Sequence, residues 1–117
     1  MTANKRPVSV LVVAGLYVAV GVLGFAAHFR ELLAGHGDAP MIELTELLAV
    51  VAGVFLWRGN NWARWLALAW IAFHVLLSAL HSVREMAVHG LLCIAIAWLL
   101  FNAAADRYFQ RSETQPT

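Results

Sequence analysis

Four long apolar stretches, separated by short polar segments, dominate the sequence. They are residues 8–27, 41–57, 62–81 and 88–105. Each is close to the roughly 20 residues that a helix needs to cross a hydrocarbon core of about 30 Å. Because the connections are short, consecutive helices are expected to pack as antiparallel neighbours. The pattern therefore predicts a single transmembrane domain, an all-α integral membrane four-helix bundle, up-down-up-down, followed by a polar tail over residues 106–117 that is frayed from residue 111 onward.

The composition agrees with a lipid environment and excludes several classes of protein. Of the 117 residues, 62% are hydrophobic and 13% are charged, whereas soluble domains carry about 25% charged residues. The net charge of +1 is too small to indicate a nucleic-acid partner. The single cysteine, Cys93, excludes an internal disulfide and a thiolate-rich metal site. The lipid bilayer is therefore the first expected partner.

The basic residues predict the orientation of the bundle. With the N-terminus inside, the inner side holds Lys5, Arg6, Arg58, Arg64, Arg107 and Arg111, and the outer side holds Arg30 and Arg84. This split follows the positive-inside rule, and Trp57, Trp62 and Trp65 then lie at the inner interface. We expect a multi-pass protein of the plasma (inner) membrane with both termini cytoplasmic. A cleaved signal peptide ending near Ala27 is the alternative for the first stretch, although its apolar run is long for one.

Polar and small residues recur at helical spacing, so that each helix carries one stripe of them. The stripes are Tyr17, Gly21, Gly24 and His28; Glu43, Glu46, Val50 and Gly53; His74, Ser78, His81 and Glu85; and His89, Cys93 and Ala97. Spacings of three and four residues place the members of a stripe on one helix face. A charged carboxylate facing lipid costs roughly 2.5–3.5 kcal/mol, so Glu46 is expected to face the bundle interior.

These stripes predict a polar pocket that opens to the outer face. Its candidate ligand-binding or proton-carrying residues are Glu46, Glu43, His81, His89, His74 and Tyr17. His81, His89 and Glu43 are also the candidate metal ligands, because they fall at similar depths and the two histidines border one short turn. Histidine and carboxylate ligands together suit Zn, Cu, Fe or Ni.

Each candidate also has a purely structural interpretation. Glu43 could stabilise the start of the second helix, where acidic groups are favourable. His81 and His89 could be ordinary interfacial residues, and His74 could hydrogen-bond a neighbouring helix. Tyr17 could pack in the core with one hydrogen bond. The sequence alone leaves these alternatives open.

The second and third stretches combine Glu46 ahead of a helix rich in Gly and Leu, Gly53 within it, Arg64 in the inner turn and His81 late in the third helix. In these features the chain resembles the DoxX-like family of small four-helix membrane proteins. It departs from that family in its turn over residues 60–65 and in its additional histidines. The resemblance implies a plasma-membrane protein linked to quinone or thiol redox chemistry, often within a larger assembly.

Three functions are compatible with these patterns. The first is a redox-linked site at Glu46, His81 and His89 that binds a quinone headgroup, a divalent metal or haem. The second is a proton-coupled small-molecule transporter that acts as a homo-oligomer with Glu46 as the carrier. The third is a non-catalytic accessory subunit whose polar stripe docks a partner membrane subunit. The sequence does not decide whether the protein is an enzyme.

Overall fold

Residues 6–114 are described by a computed structural model, in which they form five helices and no strand. The helices are α1 (Val8–Leu33), α2 (Ala39–Trp57), α3 (Asn61–Ala79), α4 (Val83–Phe101) and α5 (Ala103–Thr114). The first four are each long and apolar enough to cross a membrane. The expected all-helical fold with four candidate spans is therefore present, and it indicates a multi-pass membrane protein.

The fourth helix lies earlier in the chain than the predicted stretch 88–105. It begins at Val83 because the Oγ of Ser82 accepts a hydrogen bond from the backbone N–H of Glu85, 3.1 Å away, which caps the first turn. It ends at Phe101, and the next residue, Asn102, has an extended backbone. The chain therefore breaks its helix before the polar tail begins.

The predicted fraying over residues 111–117 is wrong as far as residue 114, because α5 is an amphipathic helix that ends at Thr114. The Oδ1 of Asn102 caps it by accepting a hydrogen bond of 2.9 Å from the backbone N–H of Ala105. Ala105, Tyr108 and Phe109 are buried, at the spacing that places residues on one helix face. The last three residues of the predicted tail, 115–117, lie outside the described part of the chain.

α1 and α2 form the most closely packed pair of helices. A Cβ added at Gly21 would lie 2.7 Å from the backbone oxygen of Glu46, and one added at Gly53 would lie 2.8 Å from the backbone oxygen of Ala14. Only glycine allows backbones to approach this closely, which is a common device for packing helices in membranes. α3 and α4 form a second pair, and α1 and α4 contact each other only sparsely.

The two ends of the bundle differ in their chemistry. We call the end with the turns at 34–38 and 80–82 the histidine end, because all five histidines lie in that half of the molecule. We call the opposite end, which holds the start of α1, the turn at 58–60 and α5, the α5 end. The candidate site predicted from the sequence belongs to the histidine end.

Candidate functional site

Glu46 is held against α1 in the half of the bundle toward the histidine end. Its carboxylate occupies the space into which a side chain at Gly24 would project. One turn away, Gly21 allows the backbone of α1 to approach the backbone oxygen of Glu46. The expectation that Glu46 faces the interior therefore agrees with the structure. The close packing of α1 and α2 determines where its carboxylate lies.

The carboxyl groups of Glu43 and Glu46 lack the partners that buried polar groups usually have. Glu43 lies one turn before Glu46 on the same side of α2 and is only 3% exposed. Within residues 6–114, both carboxylate oxygens of Glu43 and the Oε2 of Glu46 are buried without a hydrogen bond. Each such atom typically costs about 1–3 kcal/mol. A proton or a hydrogen-bond donor from elsewhere would remove this cost, and this is what a ligand could supply.

The capping interpretation of Glu43 is wrong. The first turn of α2 contains no acidic residue, because the helix begins at Ala39 and Glu43 lies beyond that turn. Its carboxylate makes no hydrogen bond to the free N–H groups at the start of the helix. The burial of this residue therefore has no explanation in the stability of α2.

Two histidines lie within electrostatic reach of the Glu46 carboxylate, His28 on α1 and His74 on α3. In each ring, Nδ1 lies 2.9 Å from the carbonyl oxygen four residues earlier, that of Gly24 or Trp70. A carbonyl oxygen can only accept, so Nδ1 carries the hydrogen and Nε2 is the nitrogen that can bind a further proton. Within residues 6–114 no hydrogen bond joins either ring to the Glu46 carboxylate, so the two imidazoles are its charge neighbours only. Within the described residues the His74 ring bonds its own helix and not a neighbouring one, as its structural interpretation would have required.

His89 extends this group of residues on the side of α4. Its Nδ1 lies 2.9 Å both from the Oγ of Ser78 and from the backbone oxygen of Glu85. The Ser78 hydroxyl is buried and donates to the backbone oxygen of His74 over 2.7 Å. The rings of His74 and His89 are stacked, with centroids 6.4 Å apart. A continuous polar contact therefore runs from α4 through Ser78 to His74.

Tyr17 supports this arrangement without belonging to its polar groups. It is buried, and its hydroxyl donates to the backbone oxygen of Ala67 over 2.6 Å. Its ring lies 5.3 Å from that of Trp70, which in turn stacks on His74 with centroids 3.9 Å apart. Because its hydroxyl already has an acceptor, Tyr17 agrees with the interpretation that it packs in the core with one hydrogen bond. It joins α1 to α3 and positions Trp70.

His81 lies on the exposed turn after α3, and the residues of the predicted metal site are not brought together in the described part of the chain. The ring of His81 is exposed in the turn after α3, and its Nδ1 donates to the backbone oxygen of Leu77. His89 meets Ser78 instead of His81. Among residues 6–114, no group of three or more His, Cys, Asp or Glu side chains is placed to hold a metal ion. The set of His81, His89 and Glu43 therefore does not form a ligand shell.

A polar groove of about 410 Å³ opens at the histidine end, beside His28. Its polar lining comes from His28 and Glu31 on α1 and from His36 and Asp38 in the following turn. His28 is also an electrostatic neighbour of Glu46. The groove therefore offers water and small polar molecules an approach toward Glu46.

Sequence reasoning missed His28 as a site residue, although it lies on the stripe of α1. It follows Gly24 by four residues, which puts both on the helix face that meets α2. The signal was therefore present in the spacing. The register of α1 against α2, which brings His28 to Glu46, is a tertiary property that the spacing does not contain.

Arg64 is the centre of a separate polar network at the α5 end. Its side chain is 9% exposed, and its Nη1 lies 2.5 Å from the Oδ1 of Asp106. It also donates to the backbone oxygen of Leu100 and to the Oδ1 of Asn61, and its guanidinium lies over two phenylalanine rings. The network joins α3, α4 and α5 and is fully engaged in holding them together.

Comparisons of this chain with protein-family models, with characterised proteins and with solved structures find no match. The resemblance to the DoxX-like family stays a prediction that rests on Glu46, Gly53, Arg64 and His81. In this structure Arg64 serves the fold and His81 is remote from the carboxyl groups. The function of the protein has to be argued from the geometry around Glu43 and Glu46.

Proposed function

We propose that this chain is a multi-pass plasma-membrane protein that binds a small hydrogen-bond-donating ligand at its histidine end. Glu43 and Glu46 would be the acceptors. The observation that carries the proposal is their buried carboxylate oxygens, which have no partner in the described chain. In surroundings of low dielectric, an unpaired polar group is costly and a hydrogen bond to it is correspondingly strong.

A quinol headgroup is the ligand that we favour, in a redox-linked role. A quinol dissolves in lipid, and its two hydroxyl groups match a site with two acceptors at the depth of the spans. The Nε2 atoms of His28 and His74 are bases next to Glu46 and can hold a proton that the ligand gives up. Trp70, stacked on His74, adds an aromatic surface close by. A metal is not part of the proposal, because the described residues supply no ligand set.

The test is equilibrium binding of decylubiquinol to the purified protein in detergent, followed by quenching of tryptophan fluorescence. We expect Glu46→Gln to weaken binding about tenfold or more, because the amide keeps the volume but places a donor where the carboxylate accepted. Glu113→Gln, on the exposed side of α5, is the matched control and should bind normally. Equal binding by the two variants, or none by the wild type, would overturn the proposal.

An absorption spectrum and a metal analysis of the same preparation test the other cofactors expected from the sequence. We expect a colourless, metal-free protein. A Soret band would indicate that the ligand is haem and not a quinol. A stoichiometric metal would show that the metal ligands come from more than one chain.

A proton-coupled transporter is the second candidate, and the polar groove is the observation that favours it. The groove brings His28, a neighbour of Glu46, to the surface at the histidine end. In proteoliposomes with an entrapped pH-sensitive dye, this function predicts proton uptake that Glu46→Gln abolishes and Glu113→Gln leaves unchanged. Uptake that is the same in both variants, or absent from the wild type, would contradict it.

We further propose an up-down-up-down topology with both termini and the α5 end in the cytoplasm. Among residues 6–114, the α5 end carries Arg6, Arg58, Arg64, Arg107 and Arg111, and the histidine end carries Arg30 and Arg84. This asymmetry is the one that the positive-inside rule describes.

Labelling of single cysteines with an impermeant maleimide tests this topology in intact cells, in a Cys93→Ala background. We expect His36→Cys to be labelled and Asn60→Cys to react only after permeabilisation, because they lie in turns at opposite ends of α2. The reverse pattern would invert the orientation and place the groove in the cytoplasm.

A further inference from the structure

A second groove lies at the α5 end, on the surface of the α1–α2 pair. Its volume is about 280 Å³, and its walls are Leu11, Ala14, Gly15 and Val18 of α1 and Gly53 and Val54 of α2. A Cβ added at Gly15 would meet no atom within 4 Å, so the groove is open there. Both helices are apolar enough to span a membrane. A hydrocarbon chain fits these walls better than water does, because they offer no polar side chain.

A cationic side chain is fixed at the mouth of this groove. Trp57 forms the end of the groove at the close of α2 and is half exposed. The guanidinium of Arg6 lies over its ring, 4.3 Å from the centroid, and the Nε of Arg6 donates to the Trp57 backbone oxygen over 2.7 Å. These contacts orient Arg6. Its two terminal nitrogens, which carry four of its five N–H groups, make no hydrogen bond to the part of the chain that the structure describes.

We propose that this groove binds one acyl chain of an anionic phospholipid, with the lipid phosphate at Arg6. A guanidinium presents paired N–H groups that match two phosphate oxygens. An indole ring such as that of Trp57 prefers the headgroup level of a membrane, where the phosphate lies. In a phospholipid the phosphate and the acyl chains belong to one molecule and lie close together. Arg6 and the apolar groove are adjacent in the same way, so one lipid can contact both.

Charge complementarity selects an anionic lipid over a zwitterionic one. Arg58 follows Trp57 directly, so a second cation lies beside the mouth of the groove. Its guanidinium lies over the Phe55 ring, 5.6 Å from the centroid. Phosphatidylcholine offers the same phosphate but carries its own cation, which these arginines repel. The site is independent of the carboxyl groups at the histidine end, so it stands whether or not a quinol binds there.

Native mass spectrometry of the detergent-solubilised protein tests this site. The probes are dioleoyl phosphatidylglycerol and dioleoyl phosphatidylcholine, each titrated separately. We expect the wild type to retain one phosphatidylglycerol at roughly tenfold lower concentration than phosphatidylcholine, a difference typical of one charge-assisted contact. Arg6→Gln should remove this preference. Gly15→Leu should weaken retention of both lipids, because it adds a side chain to the groove wall at a position where a Cβ meets no atom within 4 Å.

Two matched controls separate this site from general effects of charge and shape. Gly90→Leu adds the same side chain at another glycine whose Cβ position is open, on α4, and should bind lipid like the wild type. Arg107→Gln removes an exposed charge from the same end of the bundle and should keep the preference.

Three results would overturn the proposal. Normal retention by Gly15→Leu would show that no chain lies in the groove. An equal loss in Arg107→Gln and Arg6→Gln would show a diffuse attraction instead of a site. Displacement of the lipid by glycerol 3-phosphate at similar concentrations would show a phosphate site that makes no use of the acyl chain.

Discussion

Arg64 at the α5 end and Glu43 at the histidine end are both buried charged residues, but the chain surrounds them differently. Arg64 donates to a carboxylate, an amide and a backbone oxygen. Glu43 has no hydrogen-bond partner within the described residues, and the Oε2 of Glu46 beside it is likewise buried without one. Buried polar groups in native proteins are nearly always paired, so an unpaired one calls for a functional reason. This contrast is what we expect if the polar groups of the α5 end stabilise the fold and the proposed ligand site lies at the histidine end.

The largest effect is expected from Arg64→Met, which should lower the free energy of unfolding by about 3 kcal/mol. The substitution removes the partner of Asp106 and leaves the Oδ1 of Asn61 without its donor. Unfolding in mixed micelles with increasing SDS measures the change. Arg107→Gln, an exposed charge on α5, should stay within about 0.5 kcal/mol of the wild type. If the two variants unfold alike, the network does not hold the α5 end together.

Glu43→Leu should have the opposite effect on stability and raise the free energy of unfolding by about 1–2 kcal/mol. A leucine has similar bulk, and it replaces two buried oxygens that have no partner in the described chain. The same variant should lose the ligand. Glu113→Leu, at an exposed position, provides the baseline in the same assay. A loss of stability in Glu43→Leu would mean that the carboxyl group is satisfied after all, and the contrast between the two ends would disappear.

The smallest effects are expected from the two buried tyrosines. Tyr108→Phe and Tyr17→Phe should each cost about 1 kcal/mol, because each hydroxyl donates one buried hydrogen bond to a backbone oxygen, that of Trp57 or Ala67. Neither change should alter the affinity for decylubiquinol. Weaker quinol binding by Tyr17→Phe alone would extend the site to Tyr17, as the sequence first suggested.

The apolar spans and the inward position of Glu46 could be predicted because each depends on local spacing and on the cost of exposing charge to lipid. The error at His81 shows the limit of that spacing. His74, Ser78 and His81 share a face only while the helix continues, and α3 ends at Ala79. Beyond that residue the helical rule no longer says where a side chain points.

The boundaries of α4 and α5 were missed for different reasons. Ser82 and Glu85 form a recognisable capping pattern, serine followed three residues later by glutamate, which marked the true start of α4. The local signals for α5, an Asn cap at Asn102 and apolar residues at helical spacing (Ala105, Tyr108 and Phe109), were overlooked because the segment is otherwise polar. Asp106 opens a polar segment that resembles a tail, and its helix is stabilised by contacts with Arg64 and with the turn around Gly59. Those contacts join distant parts of the chain, so no local pattern could reveal them.

During synthesis of the protein, Arg64 is made before two of the residues that accept its hydrogen bonds. Its acceptors at Leu100 and Asp106 follow it by 36 and 42 residues, so they are made after α3 has already been synthesised. During that interval the nascent chain carries an arginine at one end of an apolar helix without these partners. Its long side chain can extend to the lipid headgroups, where the guanidinium remains hydrated.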